Sequence, residues 1–152
     1  TIRGEGMDKT ALKSTKAGSI YVSVPQESSY TLALEGLAVE IPSNYSLTFS
    51  GVSGNEQLLI SKCRISNGTG IYLSSCNTVI MQSVIRQSLR LYSNANMVGI
   101  NSIFNSINSD PGRADLQNCY VEGTLSVNYS SVKNCIISNF NTCIFINIRL
   151  LE

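Results

Sequence analysis

Histidine is absent from this chain, and so is tryptophan. Without histidine there is no Ser-His-Asp or Cys-His nucleophile, no histidine-ligated zinc and no ordinary imidazole pH switch. Without tryptophan the commonest side-chain platform for stacking on a sugar ring is missing. Charge is scarce as well: Asp, Glu, Lys and Arg make up 14% of the 152 residues and the formal net charge is +1. A near-neutral chain lacks the basic footprint that a phosphate backbone requires, so nucleic acid is not an expected partner. No apolar run reaches the length of a membrane span, so membrane insertion is not expected either. The five cysteines, at 63, 76, 119, 135 and 143, are odd in number and form no CxxC pair. That is poor material for a disulfide framework or a structural zinc site. They read as buried thiols, and neither a metal nor a cofactor is expected.

What is present is apolar surface in small alternating portions. Hydrophobic residues make up 43% of the chain, and the polar remainder is dominated by Ser, Asn, Thr and Gly. That mixture disfavours helix and favours short strands joined by turns. The length suits a single domain, 1–152. Because it starts at Thr1 and not at an initiator Met, the chain reads as a segment of a longer one. The stretch GEGMDKT (4–10) resembles a phosphate loop at a glance, but Asp8 stands where the Walker pattern needs glycine before the lysine, and a β-rich segment follows. A tight glycine turn between two short strands accounts for it.

Between Leu59 and Asn139 one phrase recurs with drift: LISKCRISN (59–67), VIMQSVIRQ (79–87), VGINSIFNS (98–106), DLQNCYVEG (115–123) and SVKNCIISN (131–139). Aligning Cys63, Ser83, Ser102, Cys119 and Cys135 gives steps of 20, 19, 17 and 16 residues, and an earlier copy places Leu37 in the same slot. Two repeat architectures carry such a phrase, leucine-rich repeats and parallel β-helices. The return segments NGTGIYLSS, QSLRLYSNA and EGTLSVNYS are strand and turn, not helix, which favours an all-β, right-handed single-stranded parallel β-helix of about six coils. Stacked coils would form one inward column of Ile60, Ile80, Gly99, Leu116 and Val132, and a second of Ile65, Ile85, Phe104, Val121 and Ile137. The small residues Cys63, Ser83, Ser102, Cys119 and Cys135 would sit at a bend between them.

The column just after the bend, Arg64, Val84, Ile103, Tyr120 and Ile136, points outward in this register and is oddly apolar for a face in water. Val84, Ile103, Tyr120 and Ile136 are therefore the expected subunit interface, most economically in a symmetric homotrimer. A register slip of one residue would exchange the two faces and remove the argument.

The opening I-x-G-x-G-x-x-x-T (Ile2, Gly4, Gly6, Thr10) resembles the first turn of pectate-lyase-like β-helix proteins, and the Asn- and Ser-rich coils are similar to those of bacteriophage tailspikes and tail fibres. That resemblance implies a β-helix, commonly trimeric, presenting a surface to bacterial polysaccharide on a virion, or otherwise outside a cell, beside other virion tail proteins. Members of this superfamily include depolymerising lyases and hydrolases alongside binders and structural spikes, so a polysaccharide-degrading enzyme and a non-viral bacterial surface β-helix stand as alternatives. For catalysis the weak candidates are Asp110, Asp115 and Glu122, none of them in a D-x-D or D-D cluster. For glycan binding the candidates are Arg64, Tyr72, Arg86 and Arg90, since Arg and Tyr together hydrogen-bond to and stack on sugars. Sequons at Asn44, Asn67 and Asn128 raise a eukaryotic secreted alternative, although a chain this rich in Asn and Ser supplies sequons by chance.

Overall fold

A computed structural model describes residues 1–14, 18–26, 31–109, 111–128 and 130–141, together with the backbone of 146–149. Among the described residues every regular element is a β-strand, and every strand pairing is parallel. The chain visits two sheets in alternation. The first sheet has eight strands in the order β1 (Ile2–Arg3), β4 (Thr31–Glu35), β7 (Gln57–Ser61), β10 (Asn77–Met81), β12 (Asn96–Ile100), β14 (Arg113–Gln117), β16 (Ser130–Lys133) and β18 (Ile146–Arg149). The second runs β2 (Ala11–Lys13), β5 (Ala38–Glu40), β8 (Arg64–Ser66), β11 (Val84–Tyr92), β13 (Ile103–Ser109), β15 (Tyr120–Val127) and β17 (Ile136–Asn141). A branch of β3 (Ile20–Ser23), β6 (Ser46–Ser50) and β9 (Gly70–Ser74) joins it at β11. Each pass of the chain lays its strands beside those of the pass before. The eight strands of the first sheet make this more than the six passes expected.

The second sheet changes form along the chain. In the early passes the second sheet is entered by two separate strands, β5 and β6 or β8 and β9, with a corner between them. From β11 onward a single strand covers the whole path, and the corner shrinks to a register shift between Ile85 and Ser88 that recurs in β13 and β15. The strands within the return segments QSLRLYSNA and EGTLSVNYS are thus the far halves of β11 and β15. The terminal strand β18 finds its neighbour in β16, with Val132 opposite Ile148; Cys143 and the start of that segment lie outside the described residues.

Both inward columns hold. Leu34, Ile60, Ile80, Gly99, Leu116 and Val132 face one another across successive strands, and so do Val39, Ile65, Ile85, Phe104, Val121 and Ile137. All are buried except Ile137, which is half-buried. The intervening residues Val84, Ile103, Tyr120 and Ile136 stack in register on the outer face, so the one-residue slip is ruled out. A third set, Leu47, Ile71, Leu89, Ile107 and Leu125, fills the core from the other leg of the second sheet.

The bend takes two residues. Lys62, Gln82, Asn101, Asn118 and Asn134 all have φ between 49° and 53°, and Gly36 holds the matching place one pass earlier at 62°. This left-handed conformation turns the chain from the first sheet to the second, and Gly and Asn are the residues that adopt it at least cost. The small residue that follows completes the hydrogen bonding. The Cys63 N–H donates to Ser83 Oγ (3.1 Å), the Ser83 N–H to Ser102 Oγ (3.2 Å) and the Cys119 N–H to Cys135 Sγ (3.3 Å). Each of these side chains in turn donates to the carbonyl two residues back, as Ser83 Oγ does to Met81 O and Ser102 Oγ to Ile100 O, both at 2.8 Å. A buried N–H that the backbone ladder cannot reach is thereby satisfied by the next pass. Serine and cysteine share the slot because each is small and can both accept and donate. Of the cysteines read as buried thiols, Cys63, Cys119 and Cys135 are part of this ladder, and Cys135 is half-buried.

Candidate functional site: an outward arginine and tyrosine cluster

On the second leg of the second sheet, the outward positions of adjacent strands bring Thr48 opposite Tyr72, Tyr72 opposite Arg90 and Arg90 opposite Asn108. Strand alternation puts Tyr92 on the same face as Arg90, two residues along β11. The rings of Tyr72 and Tyr92 lie 5.7 Å apart at a tilt of 39°. Tyr92 is 41% exposed, and Tyr21, opposite Thr48, is 77% exposed. A hydrogen bond with Tyr92, followed by the electrostatic influence of both tyrosine hydroxyls, raises the Arg90 pKa. The result is an exposed guanidinium set beside two aromatic rings, an arrangement that can stack on a sugar and hydrogen-bond its substituents.

The other candidates are otherwise engaged. Arg64 pairs with Asp8 (2.7 Å) and donates to Met7 O (3.1 Å), whereas Arg86 reaches Glu122, two passes further on. Arg3 pairs with Glu35 and Arg113 with Asp115. Of the arginines whose side chains are described, Arg90 alone turns to tyrosines instead of a carboxylate. Of the four glycan candidates, then, the structure brings together Tyr72 and Arg90, adds Tyr92, and places Arg64 and Arg86 elsewhere. The i, i+2 spacing in RLY (90–92) carried the signal for Tyr92.

The acids do not converge. Asp115 lies on β14 of the first sheet, where it accepts from Arg113 Nε and from the Ser131 N–H at 2.8 Å. Glu122 lies on β15 of the second sheet in its pair with Arg86. Asp110 is outside the described residues. The most firmly held carboxylate is instead Glu56, in the loop that leads into β7. It is 2% exposed and accepts from the N–H groups of Val52, Ser53 and Gly54, each at 2.9 Å. Those bonds, led by the one from Ser53, hold its pKa at about 2.

The outward apolar stripe is present as a surface. Val84 and Ile103 are half-buried, Tyr120 is 39% exposed and Ile136 is 65% exposed. The first sheet carries a second such stripe on its outer face, which sequence reasoning missed: Leu59, Val79 and Val98 in one column, with Met81 and Ile100 beside them. Its signal was the unbroken apolar runs LLI, VIM and VGI, where an alternating strand would have placed polar residues. The two stripes flank the bend from either side.

No protein-family model, curated protein or solved structure matches this chain.

Proposed function

We propose that the chain is a stretch of right-handed parallel β-helix that serves as a structural and adhesive part of a bacteriophage tail spike or fibre, holding bacterial surface polysaccharide without cleaving it. The observation that carries the adhesive role is Arg90, exposed beside the Tyr72 and Tyr92 pair and without a carboxylate partner among the described residues. Such a cation favours a glycan bearing carboxylate or other acidic substituents, with the tyrosine faces taking up the sugar rings. Asp115 and Glu122, each tied to an arginine of its own sheet and set on different sheets from one another, speak for holding over cleaving.

Binding to acidic and neutral capsular polysaccharides, followed by isothermal calorimetry, tests the site. Arg90→Ala is expected to weaken binding to the acidic polymer by about tenfold or more, in keeping with the loss of a hydrogen bond to a charged group. Tyr92→Ala should act in the same direction, while Arg64→Ala and Arg86→Ala leave binding unchanged. Equal loss in all four variants would move the site away from Arg90, and release of reducing ends from the polymer would make the chain a depolymerase.

The stripe of Val84, Ile103, Tyr120 and Ile136, joined across the bend by Val98 and Ile100, is the surface through which we take three copies to associate. Sedimentation at micromolar concentration should then give three times the chain mass, and Ile136→Asp should give monomers. A wild-type monomer under those conditions defeats the trimer.

A further inference from the structure

We propose that Cys119 and Cys135 form a thiol pair that reacts with small-molecule disulfides and closes into a disulfide between neighbouring passes of the chain. The two residues hold equivalent places at the bend, one pass apart. The residues that follow them, Tyr120 and Ile136, are in register, and the Ile136 N–H donates to Cys119 O at 3.0 Å. Neighbouring parallel strands set equivalent Cα atoms about 4.8 Å apart, inside the range of about 4.4–6.8 Å that a disulfide spans. Both sulfurs are already turned the same way. Cys119 Sγ donates to Gln117 O (3.3 Å) and Cys135 Sγ to Lys133 O (3.2 Å), while the Cys119 N–H reaches Cys135 Sγ.

Chemistry separates the roles of the two thiols. The interaction between the two thiols lowers the Cys135 pKa to about 7 and raises that of Cys119. Cys135 is half-buried, whereas Cys63 and Cys76 are fully buried with pKa values raised by desolvation. Beside the pair a groove of about 460 Å³ is lined by Cys119 together with Asn118 and Tyr120, and by Asn134 and Ile136, the two neighbours of Cys135 in the chain. Cys135 is therefore the attacking thiolate and Cys119 the resolving thiol. The Cys135 thiolate attacks one sulfur of the reagent, forming a mixed disulfide and releasing one reagent thiolate. Cys119 then gives its proton to the departing thiolate and attacks the Cys135 sulfur, releasing the second reagent thiol. Two protein thiols are oxidised to one disulfide, and the reagent disulfide is reduced to two thiols. A trimer packed through Tyr120 and Ile136 would cover this groove, so the reaction belongs to the unassembled chain.

The test is incubation of the dilute, monomeric full-length chain with oxidised glutathione at mildly alkaline pH, followed by peptide mapping by mass spectrometry. Wild type should lose two hydrogens and yield a linked pair of peptides carrying Cys119 and Cys135. Cys119→Ser should stop at a glutathione adduct on Cys135, and Cys135→Ser should leave Cys119 unmodified. Both variants are expected to fold, because serine already occupies the same slot at Ser83 and Ser102 and makes the same bonds. A stable adduct on Cys135 in the wild type, a link from either residue to Cys143, or equal labelling of Cys63 and Cys76 would each overturn the proposal.

Discussion

Phe104→Ala is expected to cost about 3–5 kcal/mol of folding stability, and Gly99→Val about 1–3 kcal/mol, yet the two together should cost clearly less than their sum. Gly99 stands in a column otherwise filled by Leu34, Ile60, Ile80, Leu116 and Val132. It looks like a gap, and the neighbouring column explains it. Phe104, the one aromatic residue among Val39, Ile65, Ile85, Val121 and Ile137, is fully buried. A Cβ built on Gly99 would lie 3.0 Å from Cε2 and Cζ of that ring and 2.9 Å from Leu116 Cδ2. The phenyl group therefore occupies the volume that a side chain at 99 would take. Truncating the ring leaves a cavity, a valine at 99 collides with the ring, and the double variant lets the second change fill part of the first. Urea unfolding of the four proteins, analysed as a double-mutant cycle, should show a favourable coupling of about 1 kcal/mol or more. Additive costs would mean that ring and glycine do not share a space, and would undo the facing of the two columns.

Much of this arrangement was legible because like positions stack on like. A phrase that repeats with Ile, Ile, Gly, Leu and Val at one position and Cys, Ser, Ser, Cys and Cys at another specifies which residues are neighbours without any long-range inference. What it did not disclose is why those positions are filled as they are. The bend cysteines and serines look like small packing residues until the unreached N–H of the preceding pass is seen to need their sulfur or oxygen. The asparagines before three of them are a φ signal, but Lys62 and Gln82 in the same left-handed conformation conceal it. Ion pairing was invisible for a similar reason. Arg64 meets Asp8, distant in sequence, and Arg86 skips a pass to reach Glu122, so neither partner is suggested by local spacing. Arg90 and Tyr92 share a strand face, and alternation alone places them side by side.

Glu56→Gln is expected to lower the thermal midpoint by several degrees at neutral pH, by an amount that shrinks as the solution is acidified. Glu56 begins a corner column that continues through Cys76, Ala95 and Gly112, side chains of steadily smaller size, because Gln57, Asn77, Asn96 and Arg113 stack in register one residue on. The widest of these corners is closed by wrapping residues 52–54 around the carboxylate. Three backbone N–H groups and the Ser53 hydroxyl, at 3.1 Å, point at two oxygens that carry one negative charge. An amide of the same shape has one acceptor oxygen and no charge, so it leaves donors facing an NH₂ group. The pH dependence follows from the same bonds. Unfolding returns the carboxyl from about 2 to its ordinary 4.5, so the unfolded chain binds the proton first as pH falls. The stabilisation from Glu56 is thus whole above about pH 4.5 and is lost progressively towards pH 2, where the wild-type and Glu56→Gln curves should meet. Thermal unfolding of both proteins across that range supplies the measurement. Curves that stay parallel from neutral pH down to pH 2 would mean that the loop at 52–54 is held by something other than this carboxylate.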